Sequence, residues 1–160
     1  MICSSPDGSI CIQLKSEAKR IIEQDIAKFH PYETGGILIG AYNENLKLAT
    51  IYSATSSSID SKHGYTSFDR GTDNILESIE KVKISILASL HYLGEWHSHP
   101  NNSPKPSGQD LKQMQKFAKN KLHGIRSPLL LIVGGIPMQN LLWQFSLHRH
   151  KKSTIYFDQV

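Results

Sequence analysis

The stretch TGGILIGAY, Thr34 to Tyr42, is a nearly continuous apolar run opened by glycines. A run of that length reads as a buried strand. Strands and helices interspersed around it, with hairpin-like connections, point to a mixed sheet flanked by helices. The flanking sequence agrees. SICIQLK, Ser9 to Lys15, alternates apolar and polar residues as a strand does. Ser16 then reads as the cap of a helix with Ala18, Ile21, Ile22, Ile26 and Phe29 on one stripe, ended at His30-Pro31. NENLKLATIYSAT reads as a hairpin into a further strand. TDNILESIEKVKISI reads as a second helix on Ile75, Leu76, Ile79, Val82 and Ile86, and Asp110 to Leu122 as a third, ended by Gly124. HYLGEWHSH, PLLLIVGG and NLLWQFSLHRH read as strands, and the Ser-rich segment from Ser56 to Gly71 as a long loop, either a flank of the cleft or a mobile polar connection. The expected class is α/β (α+β), a mixed sheet flanked by helices, in one domain over residues 1–160.

Composition narrows the function classes. Hydrophobic residues make up 39% and charged residues 20% of the chain, the balance of a globular domain. No apolar run approaches the ~18 residues of a membrane span, and no basic segment followed by an apolar one opens the chain. Cys3 and Cys11 lack both zinc-finger spacing and the His partner of a nucleophile, so a reducing cytoplasm is expected. The net charge of +4 is concentrated in Lys112, Lys116, Lys119, Lys121 and the tail HRHKK. We read these as a solvated helix face and a basic tail, and expect no nucleic-acid partner.

The chemistry is concentrated in GEWHSHPNNSPKPSGQD, Gly94 to Asp110. Residues i and i+2 of a strand share a face, so His97 and His99 present both imidazoles to one side while Ser98 and Trp96 point away. Two neutral imidazoles suit Zn²⁺, whose catalytic sites take three protein ligands and leave a position open. Asp110, at the start of the helix beyond the loop, is the best candidate for the third. Pro100, Pro104 and Pro106 restrict the loop that returns it. An H-x-H alone would be an ordinary pair of polar strand residues; it is the continuation into Ser107-x-x-Asp110 that changes the reading.

This pattern, H-S-H-P followed by S-x-x-D, with HPYETGGILIG (His30 to Gly40) upstream, resembles the JAMM metalloproteases, also called MPN-plus or JAB. The resemblance implies a JAB/MPN-like curved, mixed sheet and a Zn²⁺ held by His97, His99 and Asp110. It implies Glu33 as general base and Ser107 as hydrogen-bond donor to the oxyanion. The forms ETGGILIG and GEWHSHP look most like the prokaryotic JAB group, including peptidases of anti-phage operons. There the implied partner is a ubiquitin-like protein or its conjugate, including a conjugated nucleotidyltransferase, with E1/E2-like enzymes alongside. The family leaves other readings open: trimming of a β-grasp sulfur-carrier protein, a DNA-repair-associated role, or a non-catalytic scaffold. Against the scaffold, the chain keeps all the key residues. Glu95 shares the histidine face and is a rival base or supporting group. His30, His63, His91, His123, His148 and His150 have no paired spacing that builds a site, though His148 and His150 could hold adventitious metal if they lay in a strand.

Overall fold

The computed structural model describes residues 1–73, 76–77, 80–81, 90–120 and 127–159. Its centre is a nine-stranded mixed sheet in the order β10-β9-β8-β7-β3-β4-β2-β1-β11. The strands are β1 (Ile2–Ser4), β2 (Cys11–Leu14), β3 (Gly35–Tyr42), β4 (Leu48–Ala54), β7 (His91–Pro100), β8 (Leu129–Ile136), β9 (Asn140–Leu147), β10 (Ile155–Tyr156) and β11 (Asp158–Gln159). The expected mixed, curved sheet with flanking helices is what forms. The C-terminal segment pairs with β9 through β10 and with β1 through β11. One short stretch thus occupies both edges of a nearly closed sheet, with Phe157 buried between them.

Helix α1 (Ser16–Phe29) buries Ala18, Ile22 and Ile26, and with them Asp25. Its N-cap is Lys15, whose side chain makes no capping bond, so Ser16 is the first helical residue and not the cap. The β3 run is buried from Gly35 to Gly40, as its unbroken apolar character demands. Ile12, Ile22, Leu38, Ile51, Trp96, Leu131 and Phe145 build the main core. Helix α2 spans Gly108–Lys119, two residues earlier at its start than expected, and its C-cap is Asn120. Leu122, His123 and Gly124 lie outside the described residues. So do Ile75, Ile79, Val82 and Ile86 of the second expected helix; Leu76 is described, helical and exposed.

The segment read as an irregular loop contains a hairpin, β5 (Lys62–His63) against β6 (Phe68–Asp69). Each strand is only two residues long, too short for any periodicity to appear in the sequence. Among the described residues no helix is long and apolar enough to cross a membrane.

Candidate metal centre

Three side chains converge at the end of β7. The Nε2 atoms of His97 and His99 lie 3.2 Å apart. Asp110 Oδ1 lies 3.3 Å from His97 Nε2, and Asp110 Oδ2 lies 3.6 Å from His99 Nε2. All three side chains are mostly buried, at 13%, 13% and 16% exposure. Tetrahedral ligands at ~2.0–2.1 Å from Zn²⁺ stand roughly 3.3–3.4 Å from one another. The observed triangle therefore has about the right size for one such ion, and its two-nitrogen, one-oxygen donor set suits zinc.

The backbone explains why these atoms meet. Strand alternation turns His97 and His99 to one face and buries Trp96 and Ser98 on the other. The loop after Pro100 is tied to β8 by Asn101 N–H to Gly135 O and by Gly135 N–H to Asn102 O, both 2.9 Å. Gly134 makes that approach possible: a Cβ there would stand 2.7 Å from Pro104 N and 2.8 Å from Ser103 C. The loop delivers Ser107, the N-cap of α2. Ser107 and Asp110 form a capping box: Ser107 Oγ accepts from Asp110 N at 3.2 Å, and Asp110 Oδ2 accepts from Ser107 N at 2.6 Å. The S-x-x-D spacing is thus a helix-start device that also aims a carboxylate at the histidines. Burial would raise the Asp110 carboxyl, but hydrogen bonds from His97 and His99 and the nearby His97 charge hold it well below its ordinary value. Burial disfavours the charged His99 ring, yet Asp110 and Glu33 together raise its pKa.

Glu33 lies beside this group because β3 runs antiparallel to β7 with Gly35 opposite His97. Gly35 is required by that approach, since a Cβ would stand 2.9 Å from His97 Cβ and meet the Trp96 carbonyl. One residue earlier, Thr34 is locked to Ser98: Thr34 N donates to Ser98 Oγ at 3.0 Å and Ser98 N to Thr34 O at 2.8 Å. Thr34 Oγ1 donates in turn to the buried Asp25 at 2.6 Å. Burial raises the Glu33 carboxyl above its ordinary value, partly offset by His99 and His97. Glu33, Ser107 and the three converging residues all line one cleft of about 870 Å³, between the β5–β6 hairpin and α2.

Glu95, the rival base or supporting group of the sequence reading, is engaged by other side chains. It is buried on the histidine face and pairs with Arg70, with Nε to Oε2 at 2.8 Å, and accepts from Tyr92 Oη at 2.7 Å. Burial raises its pKa against the pull of Arg70. The pair fastens β6 to β7. Sequence reasoning had no signal for it, because Arg70 sits in the segment taken for a loop. His148 is fully buried and lies beyond the end of β9, with Ser146 Oγ 2.9 Å from its Nε2, so it is no surface metal ligand with His150.

A family model described as prokaryotic homologs of the JAB domain matches residues 15–146. A CD-NTase/cGAS isopeptidase of Enterobacter hormaechei subsp. hoffmannii (strain UCI 50) is 41% identical over 134 residues, 84% of this chain and 73% of its own length. A protein with the same description from Pseudomonas aeruginosa (strain BWHPSA011 / Pa011) is 39% identical over 46 residues, 29% of this chain and 28% of that one. In fold, the chain is similar to a protein of Desulfitobacterium hafniense known from its solution structure. The TM-score is 0.60 at 18% identity, over 91% of this chain and 88% of that chain.

Proposed function

The chain belongs to the prokaryotic homologs of the JAB domain, and from that premise we propose that it is a zinc-dependent isopeptidase removing a ubiquitin-like protein from a conjugated nucleotidyltransferase. The observation that carries this reading is the convergence of His97, His99 and Asp110 ligand atoms, all within 4.8 Å of one another, in a cleft shared with Glu33 and Ser107. The relative's activity on CD-NTase or cGAS supports the substrate class. The reading places residues 1–160 in one domain, working in the cytoplasm in an anti-phage conjugation system with E1/E2-like enzymes as functional partners.

His97 Nε2, His99 Nε2 and an Asp110 carboxylate oxygen would hold the ion. Bound there, Zn²⁺ supplies the Lewis acidity that makes water a usable nucleophile near neutral pH. The Glu33 carboxylate takes a proton from the attacking water and returns it to the leaving amine. A carboxyl raised by burial is suited to both halves of that transfer. Ser107 Oγ already accepts from Asp110 N, which leaves its O–H hydrogen to be donated to the oxyanion of the tetrahedral intermediate. The bond broken is the amide joining the C-terminal carboxyl of the ubiquitin-like protein to its target.

The test is co-expression of Glu33→Ala with the conjugation enzymes. The variant should fold, hold one zinc per chain and lose roughly 10²–10⁴-fold in turnover. Uncleaved conjugate should then accumulate and be read by mass spectrometry. Equal amounts of conjugate with active enzyme, or nucleic acid as the trapped species, would overturn the assignment.

A further inference from the structure

Glu33 is held by its backbone on two sides. Thr34 fastens it to Ser98, as described above. The other side is the β5–β6 hairpin: Glu33 N donates to Gly64 O at 2.7 Å, and His63 Nδ1 lies 2.9 Å from Glu33 O. A carbonyl can only accept, so His63 Nδ1 carries the hydrogen and donates. The ring has little freedom to leave. It stacks on Phe29, at the end of α1, with centroids 3.8 Å apart and planes 7° from parallel. Phe68 also packs against it, tilted by 44° with centroids 5.4 Å apart. His63 therefore joins three elements, the hairpin, the C-terminal turn of α1 and the residue at the mouth of β3.

We infer that His63 is a positioning residue for Glu33, setting the direction of the carboxylate by fixing the peptide that bears it. The inference rests on Glu33 being the general base. Proton transfer requires approach within about 2.6–3.2 Å, and a misplacement of roughly 1 Å can cost about 10²-fold. The same two hydrogen bonds make the hairpin part of the catalytic framework: the segment that walls one side of the cleft also holds the base in register with the histidines.

Two substitutions separate the ring's functions. His63→Phe keeps the stack on Phe29 and loses the donor; His63→Asn keeps a donor near the Nδ1 position and loses the stack. The assay uses zinc-loaded protein and a purified conjugate of a ubiquitin-like protein with a CD-NTase. His63→Phe should lower kcat by roughly 10- to 100-fold, leave KM within about two-fold, keep one zinc per chain and speed amide exchange at residues 33–35. His63→Asn should recover most of kcat. In a Glu33→Ala background His63→Phe should have no further effect on kcat, since it acts only through that carboxylate. Wild-type kcat in His63→Phe, a change in KM alone, or a full additional loss on top of Glu33→Ala would overturn the inference. If His63→Phe does not fold, Asn is compared with His63→Ala, and equal kcat in those two overturns it. Wild-type turnover in Glu33→Ala alone would instead remove the general base itself, a separate failure.

Discussion

Ser107 offers a sharp separation of stability from catalysis, because the proposed function gives its capping hydroxyl a second job. As the N-cap of α2 it accepts a hydrogen bond from Asp110 N at 3.2 Å. Replacing a Ser cap with Ala costs about 1 kcal/mol, whereas Gly costs only a few tenths. For a chain of this size about 1 kcal/mol lowers the melting temperature by roughly 2–4 °C. As oxyanion donor the same hydroxyl should be worth ~10²–10³ in kcat, about 2.7–4 kcal/mol of transition-state stabilisation. Zinc should remain in both variants, since the backbone N–H of residue 107 still donates to Asp110 Oδ2 at 2.6 Å and keeps that carboxylate aimed. Ser107→Ala and Ser107→Gly should therefore lose the same kcat while differing in thermal midpoint. Turnover on the conjugate, zinc content by elemental analysis and thermal unfolding read these three quantities. Wild-type kcat in Ser107→Gly would refute the donor role. Losses of kcat that track the losses of stability would show that helix displacement, and not the missing hydrogen bond, is responsible.

His97→Ala and Asp110→Ala should each purify with little zinc while retaining the fold; full metal occupancy in both would remove the ligand assignment. Gly35→Ala should lower both thermal stability and zinc content, because its Cβ would stand 2.9 Å from His97 Cβ; zinc titration and thermal unfolding matching wild type would show the strands can separate without cost. Burial lowers the His148 pKa from 6.5 to about 4, so the unfolded chain takes up a proton there before the folded one. Stability from this group is complete above about pH 6.5 and is lost as pH falls toward 4, by roughly 3 kcal/mol in all. His148→Gln should lack that share of the acid loss in urea unfolding at pH 7 and 4.5, and superimposable pH slopes would contradict it.

Much of the site could be read in the sequence because its parts are local. Strand alternation alone sets His97 and His99 on one face and Trp96 in the core, and the structure buries Trp96 at 1% exposure. The unbroken apolar character of Thr34 to Tyr42 and of Pro128 to Gly135 marks β3 and β8, central strands covered on both faces. Ser107 and Asp110 are a capping box written within four residues, where a helix start must find partners for its free N–H groups. Position within the site is another matter. Glu33 reaches the histidines only because β3 pairs with β7 with Gly35 opposite His97, and Asp110 only because Gly134 lets the loop lie against β8, where the Gly135 backbone bonds Asn101 and Asn102. The hairpin over residues 62–69 has strands too short to show a period. The Glu95–Arg70 pair and the His63–Glu33 bond join residues 25 and 30 positions apart. Spacing along the chain encodes faces and caps, which depend on one element at a time. Which faces meet depends on sheet order and register, and these are settled by the burial of the whole core at once.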